Sequence, residues 1–461
     1  VRIAIIGAGL AGLTAAYEIH TLDPHVEVEV FEATDRIGGK LFTVPFASGP
    51  TDMGAEAYLA FREDTTEFFK ELGLGENLRS PSGLPSLLYV EGSLHGMPSN
   101  TIMGIPGTSE GLGNLVSEET LKRIDAEKDA GSIDWPQEVS LGALLRERLG
   151  DDVVDHVVSA LQGGVYSSTS DDLSLRATVP QLARAFDRLK EEGKPVTITG
   201  AVQQLLAERE TRNKARGHTP SVFASFAGGY AEMYEILAER SEAKIHIDAF
   251  ITAIDKTAEG FTLKGAEGVF DRVLLTVPAP TAALLLKNLA PEAAQQLKTI
   301  KLASSAVVGM KFDHSEGLTE NSGILVATDA HDVKAKAFTF SSKKWPHLGE
   351  RGGALVRASF GRFGDDAIAR ADEDELVDAA LDDLQTITGF DGRAAGLSEI
   401  FVQRWFGGLP VYGPGHLETV AAIKDALAEV EGIDATGAWA DGVGVPAVID
   451  AARAAAKRAL A

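Results

Sequence analysis

The chain has 461 residues, 44% hydrophobic and 24% charged; that is longer than one hydrophobic core usually fills and too apolar for general disorder, so two or three globular domains are expected. Lys and Arg number 43 against 67 Asp and Glu, a formal charge of −24, and the field this creates repels polyanions and argues against a nucleic-acid partner. The chain has no cysteine, which excludes disulfides, thiolate metal sites and Cys nucleophiles.

The chain opens on an apolar stretch, Ile3 to Ala16, which is too short for a bilayer span of about 20 residues and is interrupted by Gly7, Gly9 and Gly12. No other run reaches spanning length, so no transmembrane segment is expected and the reading is cytoplasmic, with peripheral membrane contact left open. Residues 2 to 6 read as a buried parallel strand, Leu13 to Leu22 as a helix, and Val26, Val28 and Val30 running into Phe31 as a second strand. Together they make a βαβ unit of about 30 residues. From about 109 to 215 the pattern is mainly helical, as in LGALLRERLG and DDVVDHVVSALQGG. Strand-like material returns in KIHIDAFITAIDK, GFTLKGAEGVFDRVLLTV, SSAVVGMKFD and GALVRASFG. Residues 372 to 388 read as an exposed amphipathic helix, and the Ala-rich tail from Val448 to Leu460, basic at its end, as a closing helix.

Between the first strand and helix stands Gly7-Ala8-Gly9-Leu10-Ala11-Gly12, a complete G-x-G-x-x-G. In such a loop the first glycine permits the tight turn, the second lets a pyrophosphate approach the backbone, and the third lets helix and strand pack closely. The phosphates would sit at the helix N-terminus, where unpaired N–H groups favour anions. Glu32 ends the second strand 20 residues beyond Gly12, where a carboxylate can accept from ribose hydroxyls and would disfavour a 2′-phosphate; a solvated strand end is the alternative for this residue. The motif continues as Glu32-Ala33-Thr34-Asp35-Arg36-Ile37-Gly38-Gly39-Lys40, which sets Arg36 and Lys40 beside a second glycine pair.

This E-x-x-x-R-x-G-G-[RK] run resembles the second signature of the flavin amine oxidase superfamily, and the resemblance implies FAD. With no cysteine for a thioether, the flavin is expected to be non-covalent. Further segments match that superfamily in order. Asp52 to Ala57 (Asp-Met-Gly54-Ala55-Glu56-Ala57) is similar to the D-x-G segment passing near the flavin ring. Phe226-Ala227-Gly228-Gly229-Tyr230 resembles its F-x-G-G turn, and Ile251 falls where the family has an adenine-contacting strand residue. Trp405 falls at a flavin-proximal position, with core packing as its alternative, and Asp441-Gly442-Val443-Gly444-Val445-Pro446 is similar to the closing G-V-G-I-P element. There a helix N-terminus could stabilise negative charge on a reduced ring.

Within the superfamily, Gly163-Gly164-Val165-Tyr166 through Leu173-Ser174 and Pro180-Gln181-Leu182 resembles the porphyrinogen oxidases, as do Gln403-Arg404-Trp405, Leu409-Pro410, Tyr412 and Gly415-His416. The resemblance implies six-electron oxidation of a porphyrinogen by oxygen in haem biosynthesis, with contact to other enzymes of that pathway left open. A chain without a membrane segment resembles the coproporphyrinogen III oxidase branch of Gram-positive-type bacteria; the alternatives are a protoporphyrinogen IX oxidase, an amine oxidase and a non-catalytic porphyrin carrier. A tetracarboxylate substrate calls for cationic donors, for which Arg62, Arg176, Lys343 and Lys344 are candidates. No catalytic base and no metal site is assigned. The implied fold is α/β, with a Rossmann-type FAD-binding domain (1–82, 223–290 and 398–461), a mixed α+β substrate domain (83–108 and 291–397) and a helical insertion (109–222).

Overall fold

The apolar run after Arg2 becomes the strand Arg2–Ile6, the middle of a five-stranded parallel sheet. Glu27–Phe31 and then Lys244–His246 follow on one side, Arg272–Leu275 and Ile433–Ala435 on the other. Such a sheet must be covered on both faces, and alternate residues of the first strand separate accordingly. Ile3 and Ile5 join a cluster with helices Leu10–Leu22, Ala231–Arg240 and Val445–Leu460. Ala4 and Ile6 join another with Phe31, Phe261, Phe270 and the helices Ala279–Leu286 and Pro291–Leu297. In the computed structural model, which describes residues 1–461, this Rossmann-type sheet belongs to a unit made of residues 1–80, 221–301 and 417–461.

Residues 81–220 and 302–416 form the second unit. Its seven-stranded sheet runs Leu397–Pro410, Leu302–Phe312, Ala354–Phe360, Ala337–Thr339, Gly323–Val326, Ser86–Val90 and Ser93–Gly96. All its pairings are antiparallel except Gly323–Val326 with Ser86–Val90. The amphipathic pattern near 372 is the helix Glu373–Thr388, whose Leu376, Ala380 and Leu384 are buried in one cluster with Val308, Met310 and Val356 of the sheet. The helical insertion expected at 109–222 has a core that takes in Leu88 and Val90 of the sheet, so its helices share the second unit with the sheet.

Two elements differ from the pattern read in the sequence. The segment VVDHVV winds as a π-helix, Val153–Val158, before the α-helix Ser159–Tyr166 begins. The 14-residue strand Leu397–Pro410 is not among the strand-like runs read in the sequence. It pairs with Leu302–Phe312, and its Gly407-Gly408 falls where that ladder shifts register, between Ala303 and Ser305, with Gly407 at φ +58°.

Candidate active site

In the first unit the glycine loop is shaped by contacts no other residue would tolerate. Gly7 has φ +108°, and a Cβ on Gly12 would stand 1.9 Å from the Gly7 carbonyl oxygen. The second glycine pair closes on the first: Gly9 and Gly38 bridge in parallel, Gly38 N–H donates to the Ala8 carbonyl at 2.9 Å, and a Cβ on Gly39 would come within 2.8 Å of Gly9 Cα. The helix Leu10–Leu22 starts with neither a side-chain cap on Gly9 nor an acid in its first turn, which leaves its first N–H groups available to an anion.

Glu32 stands beside this loop. One carboxylate oxygen accepts from Ala8 N–H at 3.0 Å, and the other accepts from the backbone and hydroxyl of Thr34 at 2.8 and 2.9 Å. The Glu32 backbone is tied to residues 246 and 249, so Ile251, buried with Phe31 and Phe270, packs near the end of the same strand. Ile251 precedes the strand Ala253–Lys256 rather than lying on it. Arg36 spends its guanidinium on its own turn: it donates to the carbonyls of Ile37, Leu41 and Gly39 and stacks 3.9 Å over the Phe42 ring. Ala33 and Lys40 are exposed beside it.

The remaining segments expected at the cofactor interlock in the same unit. Asp52 accepts from Thr43 Oγ1 at 2.6 Å and from Tyr230 N–H at 3.1 Å, which ties the D-x-G segment to the F-x-G-G turn and the start of Ala231–Arg240. A Cβ on Gly54 would lie 2.1 Å from the Lys40 carbonyl oxygen, so Ala55, Glu56 and Ala57 leave the signature turn at backbone contact distance. Val443 and Gly444 lead into Val445–Leu460, a helix that starts with Gly444 as an uncapped N-terminus and has no acid in its first turn. The sequence pattern did not single out Thr276, which donates to the Ile6 and Gly7 carbonyls and holds the loop from below; its position at the end of an apolar strand was the available signal.

In the second unit the two porphyrinogen-oxidase-like segments meet. Ser174 N–H donates to the Tyr412 carbonyl at 2.8 Å, the Tyr166 and Tyr412 rings lie 6.1 Å apart, and Tyr412 stacks on His416 at 3.9 Å. Burial pushes the Tyr166 phenol up to about 12, so it remains a proton-bearing donor at neutral pH. Trp405 sits on Leu397–Pro410, paired with Ser305, and thus belongs to this unit while the glycine loop belongs to the other. Three of the four cations expected at substrate carboxylates are paired within the protein: Arg62 with Asp64 and Asp450, Arg176 with Asp187, and Lys343 with Glu320; the fourth, Lys344, lies over the Trp345 ring. Lys336, Arg362 and His156 were not foreseen. Lys336 lies in the alternating run KAFTF and Arg362 directly after Gly361, and neither pattern announces a cation without an acid beside it.

The cradle fits a dinucleotide. Its backbone approaches exclude side chains, its helix start lacks a cap, and its acid stands at the end of the second strand. The family model of flavin-containing amine oxidoreductases matches residues 10–460. The chain is 35% identical to the coproporphyrinogen III oxidase of Mycobacterium tuberculosis over 97% of this chain and 95% of that protein. It is 29% identical to the coproporphyrinogen III oxidase of Bacillus subtilis, over 100% of this chain and 98% of the relative. Among solved structures, one from Exiguobacterium described as a protoporphyrinogen oxidase matches with a TM-score of 0.85 at 28% identity, over 99% of this chain and 98% of that one.

Proposed function

Because the chain belongs to the flavin-containing amine oxidoreductase family, we propose that it holds FAD non-covalently and oxidises coproporphyrinogen III to coproporphyrin III in haem biosynthesis, in the cytoplasm. The observation that carries this reading is the near-full-length similarity to relatives named coproporphyrinogen III oxidase, from Mycobacterium and from Bacillus. When bound, FAD supplies a two-electron acceptor, and three turnovers with three oxygen molecules account for the six electrons and six protons that become three hydrogen peroxide.

The chain's own residues bind, orient and exclude water. The backbone N–H groups of Gly9 to Gly12 hold the diphosphate, with Gly39 closing from the opposite side. Glu32 Oε1 accepts from Ala8 alone and so keeps a lone pair for a ribose hydroxyl. Residues 54–57 carry the backbone past the ring, and the uncapped start of Val445–Leu460 stabilises negative charge there. In the second unit, Tyr166, backed by the buried Tyr412, gives the macrocycle an aromatic wall. Ile251 is assigned to the adenine side. Arg36 acts on the cofactor by shaping the Gly38-Gly39 turn, and Lys40 contributes charge beside it. The ion pairs of Arg62, Arg176 and Lys343 would have to open before any of them met a carboxylate.

The testing experiment is anaerobic incubation of the purified protein with coproporphyrinogen III, protoporphyrinogen IX and a panel of amines. Bleaching of the flavin band by coproporphyrinogen III, with free FAD released on acid denaturation, is the expected result. Bleaching by amines alone, flavin retained on the precipitated chain, or FMN in the supernatant would overturn it.

A further inference from the structure

In the second unit two cations lie close together with no acid paired to either. Lys336 is 4% exposed, and its ammonium donates to two neutral oxygens, Ser167 Oγ at 2.8 Å and the Gly361 carbonyl at 2.5 Å. Arg362, the residue after Gly361, is half-buried. Its guanidinium donates to the Val326 carbonyl at 3.2 Å, and its Nε is buried without a partner. The acid that acts on Arg362 through its charge is Asp365, an exposed residue that meets Arg362 through backbone hydrogen bonds. Arg62, Arg176 and Lys343 each have a carboxylate in an ion pair, so the arrangement at Lys336 and Arg362 stands apart. A buried charge with no counterion is strongly unfavourable, and folds keep such groups where a ligand supplies the missing charge.

The neighbouring helix supplies further polar capacity. Arg362 Nε lies against Gly163, where a Cβ would stand 3.4 Å from it, so only glycine lets the backbone come this close to the guanidinium without crowding it. Gly164 and Val165, which follow, are exposed, so the approach is from the end of the helix Ser159–Tyr166. Gln162, the preceding residue, is fully buried with both amide atoms unpartnered, so polar capacity at this helix end remains unused. A planar carboxylate matches a guanidinium edge in both shape and charge.

We propose that Arg362, with Lys336 behind it, is an anion subsite that receives one carboxylate of the tetracarboxylate substrate over the Gly163-Gly164 backbone. The inference rests on the porphyrinogen reading and deepens it by naming the cation that recognises the substrate. Burial, and then the neighbouring Arg362, pull the Lys336 ammonium down to about 7, so an arriving anion would favour its charged form.

The test is fluorescence titration of the holoenzyme with coproporphyrin III, the stable aromatic product, and with its tetramethyl ester, which keeps the ring and loses the charges. Arg362→Gln should weaken binding of the acid by about tenfold or more, the scale for leaving a buried polar partner unmatched, and leave ester binding unchanged. Arg362→Lys should fall between. Lys336→Met should also weaken the acid selectively while raising the melting temperature, because it removes an uncompensated buried charge; a merely structural lysine would lower it. Equal effects on acid and ester, or none on either, would overturn the subsite. Saturation of the site by propionate ion, with no competition against the porphyrin, would assign it to a free anion and overturn the substrate assignment. A wild-type protein that neither binds coproporphyrin III nor is bleached by coproporphyrinogen III would bring down the proposed function and the subsite together, whereas normal turnover with an insensitive Arg362→Gln would bring down the subsite alone.

Discussion

Glu32 does two jobs with one carboxylate. It accepts from Ala8 N–H and so pins the glycine loop, and it accepts from Thr34 and so shapes the turn that follows. Glu32→Ala should therefore weaken FAD binding by about 1–3 kcal/mol, the scale for hydrogen bonds to a charged group; equilibrium titration of the apoprotein with FAD measures it, and an unchanged dissociation constant would remove Glu32 from the site. His156 offers a pH prediction of a different kind. Its ring spans the Leu115 carbonyl at 2.6 Å and the Asp329 carboxylate at 2.9 Å, two acceptors that both ring nitrogens satisfy only as the imidazolium. Burial lowers its proton affinity, but the carbonyl and the carboxylate outweigh burial and the pKa is raised. The stabilisation is thus fully present below the ordinary histidine value and is lost as pH rises through the raised one. Because the Asp329 side chain is 44% exposed, water screens the pair and its worth is about 1 kcal/mol. Melting curves of wild type and His156→Gln at pH 5.5 and 8.5 should show the gap narrowing at the higher pH; a gap that widened would reverse the assignment.

At the scale of elements, the glycine-loop end of the first unit depends on how closely backbones approach. The first helix and first strand meet through Gly7 and Gly12, and the signature turn lies on the glycine loop through Gly9 and Gly39. Thr276, on the neighbouring strand's end, seals the junction with its hydroxyl. Gly12→Ala places a methyl carbon 1.9 Å from the Gly7 oxygen, so helix and loop must separate. The expected cost is about 3 kcal/mol, the upper range for forced overpacking, together with loss of FAD on gel filtration. A yellow Gly12→Ala protein with an unchanged melting temperature would show that the loop has slack the structure does not reveal. The tail helix Val445–Leu460 is held to the same region by Arg453, which reaches Glu18 at 3.0 Å and stacks over Phe68; its small residues Ala452, Ala455 and Ala456 are fully buried in the cluster that contains Ala11 and Ala15.

For the whole molecule, the formal charge of −24 repels a tetra-anion at long range. Recognition must then come from short-range contacts, and salt, by screening repulsion beyond a Debye length of about 8 Å at physiological ionic strength, should leave capture unimpaired or improve it. Preference for coproporphyrinogen III over protoporphyrinogen IX requires donors left unmatched when vinyl groups replace two propionates. Each such loss costs about 1–3 kcal/mol, which predicts at least a tenfold higher kcat/KM for the tetracarboxylate. Porphyrin fluorescence on both substrates, at matched oxygen and several salt concentrations, measures both effects. A higher kcat/KM for protoporphyrinogen IX would sink the substrate assignment and leave the FAD oxidase reading in place. No helix is long and apolar enough to cross a membrane.

The sequence by itself determined the glycine loop and its acid, because these parts are local: a strand, a glycine turn, a helix and an acid 20 residues beyond Gly12 are joined by short connections whose geometry follows from the residue types, whereas Thr276, which holds the loop from below, comes from a distant strand. The alternation of Val28 and Val30 and the stripe of Glu373–Thr388 were legible for the same reason, since each side chain's destination follows from a fixed period. Tertiary structure alone decided which charges are already paired. Arg62 meets Asp450, far off in sequence, and Lys343 meets Glu320, partners that no spacing announces, while Lys336 and Arg362 are brought together without an acid. It also decided that Leu397–Pro410 pairs with Leu302–Phe312, about a hundred residues away, with Gly407-Gly408 at the register shift of that ladder, and that Ser174 joins Tyr412. Ion pairing and sheet pairing depend on distance in space, and only the folded chain sets that distance.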